Sequence, residues 1–599
     1  MAGRLRLRRL LPVALLLAAC AEEAPEVAPE PPAYSRPTPD YARAEDAPSP
    51  PAVTFTETAA ASGLAFRHET GAFGQKWMPE TMGSGCALHD LDGDGDDDAL
   101  LVNGAWWPGH EGEGPPPTSA LFANDGAGSF TDVTSGSGVD VSVYGMGVTA
   151  ADYDGDGDAD LYLTTLGDNL LLRQDQPLRF TDAAAEAGVA GATWTDEEGR
   201  RHPEWSTGAA WADVDADGSP DLLVTNYVHW SPANDLYASF DGKSKSYATP
   251  QQYTGSTPRL YRNRGDGGFT DITAEAGLLL PHAKSMGVAA DDFDADGRVD
   301  LVITNDTQPN FLLRNLGGGR FEEVGTAAGI GYDESGRARA GMGVDVADLS
   351  GDGVLAIGIG NFSREAVSLY RQTAAGGTVF LDGAGKSRLV EPTLPTLTFG
   401  LRFFDYDLDG RQDLILANGH IEPEINAVQR EIAYAQPPQL FWNDGGGRLV
   451  DAGDRAGPVF AAPLVGRGLA VGDVEGDGDP DVLISTNGGA PRLLRNDLEG
   501  GKALVLRLRG RSPGTDALGA VVTVRAGGRT QSLRLRTGSS YLSQSARELT
   551  FGLGGAAAAE AVTVRWPDGA VEELGGLEAG GYVVEVGGVE RSQRGPPRP

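Results

Sequence analysis

DYDGDGDAD, residues 152–160, carries carboxylates at positions 1, 3, 5 and 9 and glycine at position 6. Five more stretches keep those positions: DLDGDGDDD from Asp90, DVDADGSPD from Asp213, DFDADGRVD from Asp292, DYDLDGRQD from Asp405 and DVEGDGDPD from Asp473. A seventh, DLSGDGVLA from Asp348, has Ser350 and Ala356 where two acids are expected. Acids at this spacing converge only if the chain wraps around a hard cation, with glycine giving the sharp turn. An all-oxygen cage of that kind suits calcium. An Asp/Gly-rich surface turn explains one copy, not six.

The expected ligands are Asp90, Asp92, Asp94 and Asp98; Asp152, Asp154, Asp156 and Asp160; Asp213, Asp215, Asp217 and Asp221; Asp292, Asp294, Asp296 and Asp300; Asp405, Asp407, Asp409 and Asp413; and Asp473, Glu475, Asp477 and Asp481. That makes about six Ca²⁺ sites. Asp348 and Asp352 remain as a doubtful or empty seventh. An EF-hand needs Glu at position 12 and flanking helices. Position 12 here is Leu101, Leu163, Val224, Ile303, Leu416 or Ile484, within apolar runs such as DLYLTT and DLVITN. Such short runs bounded by turn residues are strands.

The loops recur every 56–79 residues, and each unit repeats the same parts. A glycine (Gly85, Gly147, Gly208, Gly287, Gly343, Gly400, Gly468) opens a first strand; the acidic loop, a second strand, a third and an FTD-like fourth come after it. Four strands per unit is one propeller blade. The last unit lacks its fourth strand, whereas an orphan Phe55-Thr56-Glu57 precedes the first. The expectation is an all-β chain: a seven-bladed propeller over 52–500, closed by an N-terminal strand. After it, alternating stretches such as AVVTVRA and AVTVRW predict a small antiparallel β domain over 501–589, then a tail over 590–599. Cys86, in a first strand, reads as a packing residue.

Arg4, Arg6, Arg8 and Arg9 precede an apolar run at 10–17 and then Leu17-Ala18-Ala19-Cys20. This is an export signal too short to span a bilayer. It resembles a bacterial lipobox, so residues 1–20 form a lipoprotein signal peptide with Cys20 as the lipidated residue. Residues 21–51, rich in Pro, Ala and Glu, are a disordered tether reaching roughly 90 Å at ~3 Å per residue. Ala21 favours the outer membrane or cell surface over the inner membrane. The net charge of −37 argues against nucleic acid as a partner, and about six divalent ions would offset about twelve charges.

ALGAVVTVRAGGRTQ, GSSYLSQS, FGLG and VRWPDG near the C-terminus resemble an ASPIC/UnbV module, and the repeats resemble FG-GAP/VCBS blades. With PETMGSG (79–85), NDTQPNFLLRN (305–315), GMGVDVADLSGDG (341–353) and NGH (418–420), the combination is similar to bacterial members of the cartilage acidic protein family. The resemblance implies a calcium-binding, extracellular or periplasmic propeller without established catalytic residues.

Strand order puts the acidic loops on one rim and the long insertions, 65–82, 104–118, 188–206, 227–258 and 418–438, on the other. These insertions, with the connection at 282, hold a possible ligand face: His68, Trp77, Trp106, Trp107, His202, Trp205, His229, Trp230, His282 and His420. Loops on a rigid scaffold commonly carry binding residues. Alternatively, long loops fold back on their own tryptophans. The functional expectation is a lipid-anchored binding or adhesion module of the cell envelope, with a protein or glycan ligand and no enzyme activity. The rival is a periplasmic enzyme or metal-dependent accessory protein using the His/Trp face.

Overall fold

The computed structural model describes residues 48–240 and 242–592. The signal peptide, Cys20 and all but the last residues of the tether lie outside the described residues. The chain divides into a leading unit, Met1–Pro48, and a body, Ser49–Pro599. Every described strand belongs to the body.

Seven four-stranded antiparallel sheets succeed one another along the chain. Their first strands are Cys86–His89, Gly145–Ala151, Ser206–Ala212, Ser285–Asp291, Gly341–Asp348, Thr398–Phe404 and Gly466–Gly472. Each lies beside the first strand of the next sheet, and the seventh lies beside the first, so the blades close a ring. Phe55–Glu57 supplies the outer strand of the seventh blade, antiparallel to Arg492–Asn496, with Phe55 opposite Asn496. Sharing one sheet between the two ends of the array removes the exposed edges an open solenoid would leave.

The core sits in the seams. Apolar side chains of the second strands are buried on both faces, which is why those strands read as continuous apolar runs. One cluster joins Leu100 and Leu121 to Leu161 and Leu172; another joins Leu223 and Leu260 to Leu301 and Leu313. Each cluster thus draws on two adjacent blades, so no blade buries its faces alone.

The C-terminal domain is a pair of four-stranded sheets. It is not wholly antiparallel as expected: Ala503–Arg509 pairs in parallel with Gly580–Glu585. The two strands are far apart in the chain and are joined by a crossover rather than a hairpin, which permits parallel pairing. The domain also runs past the expected boundary at 589, because Gly588–Arg591 adds a last strand against Gly580–Glu585.

Between Arg529–Arg534 and Leu549–Gly552, residues 537–546 leave this domain and fill the centre of the ring. Trp211 N donates to Thr537 Oγ1 (2.7 Å), and Val344 and Ser540 exchange both backbone hydrogen bonds. Val148 N donates to Leu542 O, and Cys86 N to Ser543 Oγ. Leu401 N and Val471 N donate to Ser540 Oγ and Ser545 Oγ. Gly538 packs on Val288. Every blade is touched. The first-strand glycines make room: a Cβ on Gly85 would collide with the Leu542 carbonyl, and one on Gly468 with Ser543 Oγ. The centre of the ring is therefore plugged.

Candidate metal centres and the insertion rim

Each acidic loop folds on its own carboxylates. The position-1 side chain accepts the N–H groups of positions 5 and 6: Asp217 and Gly218 on Asp213, Asp296 and Gly297 on Asp292, Asp409 and Gly410 on Asp405. Position 6 has positive φ, as in Gly218 (95°) and Gly297 (90°). Position 4 is left-handed too, even where it is Ala216 (63°), Ala295 (58°) or Leu408 (54°). A non-glycine residue held there costs about 1–3 kcal/mol, so this turn is enforced by its surroundings.

The turn brings carboxylates together. One oxygen from each of Asp152, Asp154 and Asp160 lies within 4.8 Å of the other two, as do the triples Asp213/Asp215/Asp221, Asp292/Asp294/Asp300, Asp405/Asp407/Asp413 and Asp90/Asp92/Asp94. In four loops position 5 stands outside the triple, unlike the expected four-acid set. Asp156, Asp217, Asp296 and Asp409 instead accept the N–H of position 7, and Asp296 and Asp409 pair with Arg298 and Arg411. Among the described residues the Asp348 and Asp473 loops form no such triple; the longer Glu475 lies 3.5 Å from Arg495.

Burial, reinforced by the neighbouring carboxylates, pushes Asp160 and Asp221 up to about 8 and Asp300 up to about 7. Asp413 is pushed well up by the same causes. Asp90 Oδ1 and Asp215 Oδ1 are buried without a hydrogen-bond partner. Crowded, desolvated carboxylates, with buried oxygens such as Asp90 Oδ1 and Asp215 Oδ1 left unanswered, fit a hard divalent cation.

Position 9 also ties the loop to the rest of the ring. Its carboxylate accepts the N–H of position 2 and that of a residue ending the third strand: Asn124, Gln174, Asn263, Asn315, Asn443 or Asn496, at 2.7–3.0 Å. The Asn263, Asn315, Asn443 and Asn496 amides then donate to Tyr153 O, Val214 O, Leu349 O and Tyr406 O in the preceding blade's loop. Gln372 does the same toward Phe293 O in the eroded blade. This latch was not read from the sequence, although an amide recurring at the end of the third strand signals it.

On the opposite rim the tryptophans pack on one another. Trp77 meets Trp107 edge-on at 4.8 Å and Trp230 at 5.8 Å, and Trp205 meets Trp230 at 6.1 Å. With Tyr541 of the plug they form one buried cluster. Trp194 is stacked between His202 (4.6 Å) and His229 (4.9 Å). Trp106 is half-buried and His282 exposed. His68 and His420 are buried, and desolvation with nearby Arg467 lowers them to about 3 and about 4. Among the described residues no histidine joins an acidic group that could hold a metal. Three insertions interlock above the cluster: Lys76 Nζ bonds Glu422 Oε1 (2.6 Å), Tyr247 N donates to Glu422 Oε2, and Tyr247 Oη donates to Glu80 Oε2 (2.9 Å). Among the described residues the most exposed aromatics of the insertions are Tyr237 and Phe240, 67% and 53% exposed, which sequence reasoning passed over for the tryptophans.

Residues 510–586 match the family model of ASPIC and UnbV, and residues 90–163, 239–303 and 292–359 match the FG-GAP-like repeat. Cartilage acidic protein 1 of Mus musculus is 28% identical over 370 residues, 60% of this chain and 52% of the relative. The Homo sapiens protein is 27% identical over 372 residues, 60% of this chain and 50% of the relative. The chain carries FG-GAP-like repeats followed by an ASPIC and UnbV module, and it is similar to cartilage acidic protein 1. It spans about half the length of the curated relatives it matches. Among solved structures, an Agrocybe aegerita lectin specific for non-reducing terminal N-acetylglucosamine is similar at 16% identity and TM-score 0.36, over 68% of this chain and 87% of that one. YCF48 bound to D1 peptide is similar at 10% identity and TM-score 0.38, over 75% and 96%.

The ASPIC module lies against the acidic rim of the FG-GAP ring. Arg507 donates to Asp90 Oδ2 (2.6 Å) and Gly95 O, and Asp516 accepts Asp152 N (2.6 Å). Arg529 donates to Asp409 O, and Arg534 to Asp291 (2.7 Å). Arg536 bridges Asp291 and Asp345. Arg534 ends the strand Arg529–Arg534 and Arg536 lies two residues beyond it, and both reach Asp291.

Proposed function

We propose that this protein is a lipid-anchored, calcium-binding module of the bacterial cell envelope that binds a protein or glycan through its insertion rim. An FG-GAP ring with an ASPIC module is a binding or adhesion type of architecture. The observation that carries the reading is the contrast between rims. The acidic rim is covered by the ASPIC module, whereas the insertion rim is locked by Lys76–Glu422 and Tyr247–Glu80 and displays Tyr237 and Phe240. Rigid loops bearing exposed aromatics are what recognition surfaces are made from.

Calcium would be held by the triples Asp152/Asp154/Asp160, Asp213/Asp215/Asp221, Asp292/Asp294/Asp300 and Asp405/Asp407/Asp413, and by Asp90, Asp92 and Asp94. It would neutralise loops that are otherwise mutually repulsive. Anchoring rests on Cys20 and its lipobox; no helix among the described residues is long and apolar enough to cross a membrane. The test is capture from envelope extracts by the immobilised, calcium-loaded protein. Capture lost in Tyr237→Ser/Phe240→Ser supports the reading, and capture indifferent to those changes overturns it. Cys20→Ser, with unchanged partitioning into detergent phase, would remove the anchor from it.

A further inference from the structure

A cavity of about 90 Å³ opens on the insertion rim beside the tip of the plug. Exposed Thr249 and Gln251 stand at its mouth. Its inner walls are apolar, with Met78, Met82 and Met342 among them. Two carboxylates nonetheless face it, those of Asp306 and Glu365, and no lysine or arginine lines it. Asp306 is only 5% exposed; Tyr227 Oη donates to its Oδ2 (2.6 Å). Glu365 Oε2 accepts Ala340 N (2.8 Å). Lys284 near Asp306 and Arg339 near Glu365 lie outside the lining, and Lys284 Nζ donates to the Pro250 carbonyl (2.6 Å). Thr307, also lining the cavity, is held at φ 60° and its buried Oγ1 has no hydrogen-bond partner.

Acids in an apolar hollow are costly without a cation, and a buried hydroxyl without a partner is costly as well. From this combination we infer that the cavity is a binding site for a primary alkylammonium group, such as a lysine side chain or a small amine. The three N–H donors of the ammonium would meet Asp306, Glu365 and Thr307, and its alkyl stem would lie on Met78 and Met342. A quaternary ammonium has no donor for Thr307, and a neutral alcohol has no charge for the acids. Three waters at ~30 Å³ each would fill the same space, which suits a stem of a few carbons. Burial raises Asp306 to about 7, with Glu365 contributing, so a cation in the cavity would favour its charged form. The inference deepens the insertion-rim reading above, since a lysine side chain on a protein partner would enter here.

Titration of the full chain with n-butylammonium, followed by calorimetry and by emission of the neighbouring tryptophans, tests it. Saturable binding of n-butylammonium at least ten-fold tighter than 1-butanol and tetramethylammonium is expected. Asp306→Asn and Thr307→Val should each weaken it several-fold, and Met342→Phe should block it. Equal binding of 1-butanol, or n-butylammonium binding unchanged in Asp306→Asn and in Glu365→Gln, would overturn it. Should Asp306→Asn fail to fold, the Thr307→Val and Met342→Phe pair decides alone. If n-butylammonium does not bind but capture through Tyr237 and Phe240 persists, this inference falls and the insertion-rim reading stands.

Discussion

Replacing Tyr541 by alanine should destabilise all seven blades together. The side chain is fully buried at the tip of the plug; its ring meets Phe399 edge-on at 4.9 Å and its hydroxyl donates to Met82 O at 2.8 Å. Truncating a buried aromatic to alanine costs about 3–5 kcal/mol, and the lost hydrogen bond adds about 0.5–1.5 kcal/mol. The expected total of about 4–6 kcal/mol is a large fraction of the ~5–15 kcal/mol by which folded domains exceed their unfolded chains. Tyr541→Phe, which keeps the ring, should cost only the hydrogen-bond share. The assay is urea unfolding of the calcium-loaded protein, read by tryptophan emission for the insertion rim and by circular dichroism for the sheets. A single shifted transition in both signals is expected, because residues 537–546 touch every blade. A loss below about 1 kcal/mol, or separate transitions for ring and module, would show that the plug merely occupies the channel.

Calcium removal should lower the melting temperature strongly, since each site at 100 times its dissociation constant adds ~2.7 kcal/mol by mass action. Asp292→Asn should reproduce part of that loss and Asp352→Asn little of it; a melting curve indifferent to chelator would leave the acidic repeats as solvated turns. His68 and His420 should each contribute a loss of stability on acidification, because they are depressed to about 3 and about 4 in the fold. The unfolded chain therefore binds more protons as pH drops through 6.5. Each imidazole costs about 2 kcal/mol at pH 5. The double variant His68→Gln/His420→Gln should flatten the slope of stability between pH 7.5 and 5, and an unaltered slope would assign it elsewhere. Cys86 should resist thiol reagents in the native protein, because burial raises its thiol to about 11; stoichiometric labelling without unfolding would contradict this.

The acidic loops were legible because the carboxylates of each lie within nine residues, and local turn chemistry leaves its mark on composition. Ring closure was legible because a missing strand at one end matched a spare Phe55-Thr56-Glu57 at the other. The plug was not, since its hydrogen bonds join residues as far apart as Cys86 and Ser543. Its trace is a break in alternation, where RTQSLRLRTG gives way to GSSYLSQS, and the glycines at 85, 147, 343 and 468 that back onto it. The tryptophans were placed on the correct rim but taken as possible ligand anchors. Long insertions have no blade to pack against and must form a core of their own, so Trp77, Trp107, Trp205 and Trp230 turn inward and less conspicuous aromatics face solvent.

The two rims are not independent. The acidic rim concentrates charge that the sheets cannot neutralise, and the ASPIC module answers with Arg507, Arg529, Arg534 and Arg536 from one side. The same module sends residues 537–546 through the ring to finish against Met82 and Phe399 on the other. A position-1 acid such as Asp152 thus serves three ends: it folds its own loop through Gly157 N, it stands in a metal-competent triple, and it is contacted by Thr515 of the module. Loosening such a loop weakens the seat of the module and, through it, the plug that props the tryptophan cluster. Coupled through one central segment, each loop supports a surface on the far side of the ring.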